Sequence, residues 1–292
     1  MPIKAVFLSV LFIPFLLTGR LSYAGEIRIL TSFYPVYIMA KNVARDVPGV
    51  SVQNLTSALT GCLHDYTVTT NEMKKLSLAQ VFIVNGAGME SFLDKVAAGY
   101  PDLKIIKLSE GIVLIKDERS GVDNPHVWVS ISNAIIQVKN LGKAMEAFDP
   151  SHKELYEKNA DRYIAKLEKL RQKMHLDLAA YKGRSIVTFH EAFSYFAQEF
   201  GFKIAAVIER EPGSSPSAKE VAETIGIIRE KGVMSLFSEP QYPISVADAI
   251  AEETGAKVYG LDPAVTGPDD YDAYINIMEK NSSVLKEALG NK

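Results

Sequence analysis

The chain is 292 residues long, with 32 Lys and Arg against 35 Asp and Glu and a net charge of −3. So mild an acidity offers no basic surface for nucleic acid. A single cysteine, Cys62, excludes an internal disulfide, so the fold must be stable from its core alone, and the length is ample for two domains.

Residues 1–24 read as a secretory signal peptide. Lys4 forms a short basic region, Ala5 to Thr18 is almost wholly apolar, and Ser22-Tyr23-Ala24 has the small-x-small pattern of a cleavage site. An apolar run of about 14 residues is short for a membrane span, and Pro14 interrupts it. No cysteine follows the cleavage site, so a lipid anchor is not expected. The reading is a soluble exported protein beginning at Gly25, in the periplasm or another extracytoplasmic space. Without Lys4 and Arg20 it carries 30 basic and 35 acidic residues, a net of −5.

From there, short apolar runs alternate with helical patterns. Strands are expected at 27–31, 51–55, 81–85 and 104–108, with helices at 36–43 and 71–76 between them. The second half repeats the plan, with strands at 185–189, 204–208, 235–238 and 257–261. Its helices are expected at 192–200, 218–230, 245–254 and near 271–289. Such alternation predicts parallel sheets covered on both faces. Gly201, Gly232 and Gly255 stand where helix C-terminal caps belong.

A different object lies between the halves. Asp149-Pro150 suits a helix start. Tyr156, Ala160, Tyr163, Leu167, Leu170, Met174, Leu178 and Tyr181 then recur at spacings of four and three, one continuous apolar seam. With no second long partner in view, the seam is expected to pack across both lobes. The expected division is a leader at 1–24, an N-terminal α/β lobe at 25–148, a linking helix at 149–182 and a C-terminal α/β lobe at 183–292. A rigid link implies modest closure on binding.

Three histidines occur in distinctive loop contexts: His64 in Gly-Cys-Leu-His-Asp-Tyr, His126 in Asn-Pro-His-Val-Trp and His190 in Thr-Phe-His-Glu-Ala-Phe. Asp262, in Gly-Leu-Asp-Pro, comes later. The gaps between the four are 62, 64 and 72 residues, so only the tertiary fold could unite them. His190 and Asp262 follow predicted strands, at the carboxyl ends where open α/β sheets bind ligands. Three imidazoles and a carboxylate would make a four-coordinate transition-metal site between the lobes. Taken singly, each has an ordinary structural reading: a surface or core histidine, or, for Asp262, a helix cap. His152 and His175, on the long helix, are assigned to that class. Cys62 is expected to be a small buried residue, the sharper alternative being an extra ligand or a redox-sensitive thiol.

These segments resemble a known family. Leu63-His64-Asp65-Tyr66 with Asn85-Gly86-Ala87-Gly88-Met89-Glu90, then Asn124-Pro125-His126-Val127-Trp128 and Phe189-His190-Glu191-Ala192-Phe193, look like the metal-binding and zinc-uptake solute-binding proteins of ABC transporters. Phe237-Ser238-Glu239-Pro240-Gln241 and Leu261-Asp262-Pro263 continue the match in the same order. The resemblance implies two α/β lobes joined by a long helix, with a first-row divalent metal held by His64, His126, His190 and Asp262. It also implies a non-enzymatic capture protein, monomeric, that delivers its ion to a separate permease and ATPase.

His190 at the third ligand position is similar to zinc-type members, where manganese-type members carry glutamate. Three imidazoles also suit zinc. Many zinc-type members carry a His-rich loop before the second ligand, whereas Leu108–Pro125 has no histidine. Zn2+ is therefore expected, with Mn2+ and Fe2+ as alternatives. Asp65, Glu191 and Glu239 are the candidate acceptors for the second imidazole nitrogens, and Glu239 could also ligate in place of Asp262. The competing readings are a zinc metallohydrolase, which needs an open coordination position, and a binder of haem or siderophore, which needs a wide cleft.

Overall fold

The computed structural model describes residues 26–116, 121–208 and 216–290. The expected leader and its cleavage point at Gly25 lie outside the described residues, as does part of the histidine-free stretch Leu108–Pro125.

Short runs rich in Val and Ile form β1 (Ile27–Thr31), β2 (Val50–Asn54), β3 (Val81–Val84) and β4 (Lys104–Lys107). They pair in parallel in the order β2-β1-β3-β4. All four residues of β3 are buried, as in a strand covered on both faces. Helices α1 (Tyr34–Val43), α2 (Thr70–Leu78) and α3 (Leu93–Gly99) belong to this half. Thr69 and Glu72 close a reciprocal capping box at the start of α2.

The linking region departs from the expectation in two ways. An 18-residue helix, α4 (Ile131–Phe148), precedes it and was not anticipated. The long helix expected over 149–182 is present from Pro150 to Tyr181, opening on a 3-10 turn at Pro150–His152, continuing as the 26-residue α5 (Lys153–Leu178) and closing on a 3-10 turn at Ala179–Tyr181. Asp149 does not cap with its side chain. Its carboxylate instead meets His152 Nδ1 at 2.7 Å and accepts from Tyr156 Oη at 3.1 Å.

At 1.5 Å per residue α5 is about 39 Å long. Its seam is buried from Tyr156 to Leu178, with Tyr181 half-buried. The seam does have a long neighbour, because α4 lies along it, and α1 and α9 (Ala273–Gly290) complete the packing. Gly142 permits the close approach of α4 and α5, since a Cβ there would stand 2.9 Å from Ala160 Cβ. Helix α5 is therefore fastened to elements of both halves.

The second half carries β5 (Ser185–Thr188), α6 (Ser194–Phe200), β6 (Lys203–Val207), α7 (Ala218–Lys231), β7 (Ser235–Ser238), α8 (Ser245–Thr254) and β8 (Lys257–Gly260). Its parallel order, β6-β5-β7-β8, repeats that of the first sheet. The three helices end at Gly201, Gly232 and Gly255, with φ of 77°, 60° and 74°. Those are the left-handed caps the sequence predicted. Two parallel sheets flanked by helices and joined through a long helix make up the α/β architecture expected.

In both sheets the strand order reverses beside the first strand, between β1 and β3 and again between β5 and β7. Crevices for ligands open at such switch points, beyond the carboxyl ends of the strands. Direct bonds tie the halves together. Tyr34 Oη donates to Pro268 O at 2.8 Å, Tyr37 Oη to Asp269 Oδ1 at 2.9 Å, and Asn42 Nδ2 to Tyr271 O at 2.8 Å.

Candidate metal centre

The second-half switch point places two side chains together. His190 stands two residues beyond β5 and Glu239 directly follows β7. Their side chains meet, His190 Nδ1 to Glu239 Oε1, at 2.7 Å, and both are almost fully buried, at 1% and 3% exposure. The other carboxylate oxygen, Oε2, accepts from Gln241 Nε2 at 2.7 Å. Both oxygens of Glu239 are thus engaged in holding and being held.

His126 comes from the loop ahead of α4. Asn124 Oδ1 accepts both His126 N, at 3.0 Å, and His126 Nδ1, at 2.9 Å. The Asn124 amide nitrogen donates to Glu191 O at 2.9 Å. Its carbonyl oxygen is therefore the atom facing the imidazole, so Nδ1 carries the proton and the lone pair lies on Nε2. Behind the loop, Asn85 at the end of β3 donates to Pro125 O at 2.9 Å, and Gln137 of α4 donates to Asn85 at 2.9 Å. Buried Glu90 accepts from Ser32 Oγ at 2.7 Å and Asn85 N at 2.8 Å, closing the corresponding crevice of the first sheet.

The three imidazoles converge. His126 Nε2 lies 3.1 Å from His64 Nε2 and 3.1 Å from His190 Nε2. A tetrahedral ion about 2.0–2.1 Å from each nitrogen would set them about 3.3 Å apart. Cys62 Sγ is 4.0 Å from His190 Nε2. One donor atom from each of Cys62, His64, His126 and His190 lies within 4.8 Å of the other three. His126 and His190 are buried, whereas Cys62 and His64 are half-buried. An open hollow of about 490 Å³, lined by His64, Tyr66, Val68, Phe92 and Lys95 among others, leads to the His64 side.

The electrostatics follow from this crowding. Burial, with His190 beside it, lowers the His64 pKa to about 4. Burial also pushes His126 well below the ordinary imidazole value, and His190 and His64 add to it. His190 goes the other way: burial opposes its charge, but Glu239 and Cys62 outweigh it and raise the pKa to about 10. Of the three imidazoles, His190 is the one whose surroundings favour the charged form.

Asp262 stands apart from the four-donor group. It is half-buried; its Oδ1 accepts from Ala264 N at 2.8 Å, and its own amide is bound by Asn281. Burial raises its carboxyl pKa, Ala264 N lowers it and Glu239 raises it, so it feels the charge of the centre. The neighbouring Pro263 O accepts from Trp128 Nε1 at 2.7 Å. Asp65 is exposed, and Glu191 is half-buried with its carbonyl bound by Asn124. His152 pairs with Asp149, and His175 lies 3.7 Å from Glu199 and against Phe200, both away from the centre. Sequence reasoning missed the Asn124 and Gln241 clamps, although both residues lie inside quoted motifs, and Tyr242, whose ring lies 5.4 Å from that of His190.

The model of a family described as zinc-uptake complex component A, periplasmic, matches residues 29–288. A zinc-binding lipoprotein AdcA of Streptococcus pneumoniae is 31% identical over 282 residues, covering 90% of this chain and 56% of that protein. The chain thus spans about half the length of that relative. The high-affinity zinc uptake system protein ZnuA of Bacillus subtilis is 29% identical over 287 residues, covering 92% of this chain and 89% of its own. Among solved structures, the binding protein FpvC of Pseudomonas aeruginosa in complex with Mn2+ superposes with a TM-score of 0.82 at 27% identity, covering 91% of this chain and 98% of that one. No helix among the described residues is long and apolar enough to cross a membrane.

Proposed function

The chain belongs to the family of periplasmic zinc-uptake complex components, and from that premise we propose that it captures a divalent transition metal, Zn2+ foremost, and delivers it to an ABC permease driven by a separate ATPase. The observation that carries the reading is the convergence of three imidazole nitrogens, with those of His64 and His190 each 3.1 Å from that of His126 and all three within 4.8 Å of one another. Orienting acceptors sit behind two of them. We assign His64, His126 and His190 as ligands. For the fourth place the chain offers two donors: Asp262, implied by resemblance, and Cys62. Glu239 is an orienting residue, since both its oxygens are engaged elsewhere.

Lobes at 25–148 and 183–292, joined through 149–182, export under the direction of residues 1–24, and action as a monomer outside the cytoplasm complete the proposal. A donor cluster only 4.8 Å across suits a bare ion rather than haem or a siderophore. Four protein donors leave no place for the water a zinc hydrolase needs, so the reading is a binder and not a catalyst. Zn2+ is the expected cargo, ahead of Mn2+ and Fe2+, because imidazole donors rank zinc above both.

Elemental analysis of the purified protein, followed by competition of Zn2+ against Mn2+, tests this. One zinc per chain, lost in His190→Ala, is expected. A protein that takes up no divalent metal would overturn it.

A further inference from the structure

We infer that Cys62, rather than Asp262, supplies the fourth donor in this chain, giving a three-nitrogen, one-sulfur site built for borderline-soft ions. The inference rests on the proposed function and names the chemistry of the same site. Its geometric ground is plain: the atom nearest to completing the nitrogen triangle is Cys62 Sγ, 4.0 Å from His190 Nε2 and within 4.8 Å of all three imidazole donors. With zinc–sulfur at about 2.3 Å and zinc–nitrogen at about 2.0–2.1 Å, a tetrahedron sets sulfur and nitrogen about 3.6 Å apart. The separation from His190 closes to that value with a shift of a few tenths of an ångström, and any other sulfur–nitrogen pair in the group with a shift of about 1 Å or less.

The local chain explains how sulfur reaches the centre. Cys62 and His64 lie two residues apart in a loop that Gly61 turns with φ of 80°. Leu63 between them is fully buried, and its amide points at Met89 Sδ, 3.3 Å away. Anchored at Leu63, the loop offers its two flanking side chains to one ion. Asp262, by contrast, has Oδ1 committed to Ala264 N and stands outside the donor group.

The chemical consequence is selectivity. Thiolate is a soft donor that favours zinc and disfavours manganese, which prefers oxygen. On loading, the thiol proton leaves to solvent as sulfur bonds the metal, a step that needs no oxidant.

Cobalt(II) substitution tests this. Co2+ in the wild-type protein should give intense visible d–d bands of a tetrahedral site together with a near-ultraviolet thiolate-to-cobalt charge-transfer band. Cys62→Ser should keep the d–d bands and lose the charge-transfer band, while Asp262→Asn should keep both. Visible bands without charge transfer in the wild type would sink the sulfur ligand and leave the metal-capture reading standing. Absence of any cobalt spectrum would overturn both. X-ray absorption of the zinc-loaded wild type provides a second readout that does not depend on a variant folding. One sulfur scatterer at about 2.3 Å is expected, and a shell of nitrogen and oxygen alone would refute the inference.

Discussion

The indole Nε1 of Trp128 donates to the carbonyl of Pro263 at 2.7 Å, joining the His126 loop to the segment that follows β8. The same ring lies 5.3 Å from the His126 imidazole and packs edge-on against Phe33 at 5.0 Å. The only tryptophan of the chain therefore sits between the metal centre and the second half. Zinc added to metal-stripped protein should change its fluorescence emission. An unchanged spectrum on saturation would argue against the site. Trp128→Phe leaves Pro263 O without its donor in a buried place, at a cost of roughly 1–3 kcal/mol, readable as a lower denaturation midpoint.

Glu239 holds His190 in the tautomer that aims Nε2 at the ion. Glu239→Gln should weaken zinc binding by about 10–100-fold, and it should lower the His190 pKa by removing the charge that raises it. A structural role alone would leave the pKa of His190, followed by nuclear magnetic resonance in the metal-free protein, where it is.

The pH dependence has a definite sign. His64, at about 4, is neutral throughout the physiological range, and so is His126, held lower still by burial. His190, at about 10, is charged there. With His190 charged and Cys62 as the inferred fourth ligand, metal binding at pH 7 is expected to displace the proton of His190 and the thiol proton of Cys62. Calorimetry in buffers of differing ionisation enthalpy should find about two protons released by the wild type and about one by Cys62→Ser. Affinity should fall steadily as pH drops below about 10, not only near 6.5. No proton release at all would contradict the assignment. In the metal-free protein the same raised pKa adds stability that is complete below about 6.5 and is lost as pH rises through about 10.

Gly142→Ala tests the helical link. Alanine gains about 1 kcal/mol of helix propensity, but its Cβ would stand 2.9 Å from Ala160 Cβ on the facing helix. Overpacking of this kind costs about 1–3 kcal/mol, so a net loss of stability is expected. A higher melting temperature would show that α4 and α5 part more readily than their packing implies.

The strands were legible because a buried parallel strand is a continuous apolar run, and β3 and β7 are buried at all four positions. The three histidines were legible because each sits in a loop by a strand or helix end with an unusual neighbour. Helix α4 was overlooked although its buried face is apolar. Gly142, Asn133 and Asn140 are poor helix formers, and the packing on α5 overrides them. Asp149 looked like a cap by its place before Pro150, yet Tyr156 and His152 compete for its carboxylate. The approach of Cys62 to His190 joins residues 128 apart in sequence, and no local pattern encodes such a distance.

The grip of α5 on both halves limits how the candidate site can open. With α1, α4 and α9 all lodged against one seam, parting the two sheets would tear open the largest apolar cluster among the described residues. Two of the four donors, His126 and His190, are sealed inside, while Cys62 and His64 share one loop at the rim. Unloading then resembles lifting a latch more than opening a jaw. On the proposed delivery to a permease, with the inferred Cys62 ligand, that partner need peel back only the few residues around His64 to trade a four-donor cage for a two-donor one, and the ion becomes free to leave through that side.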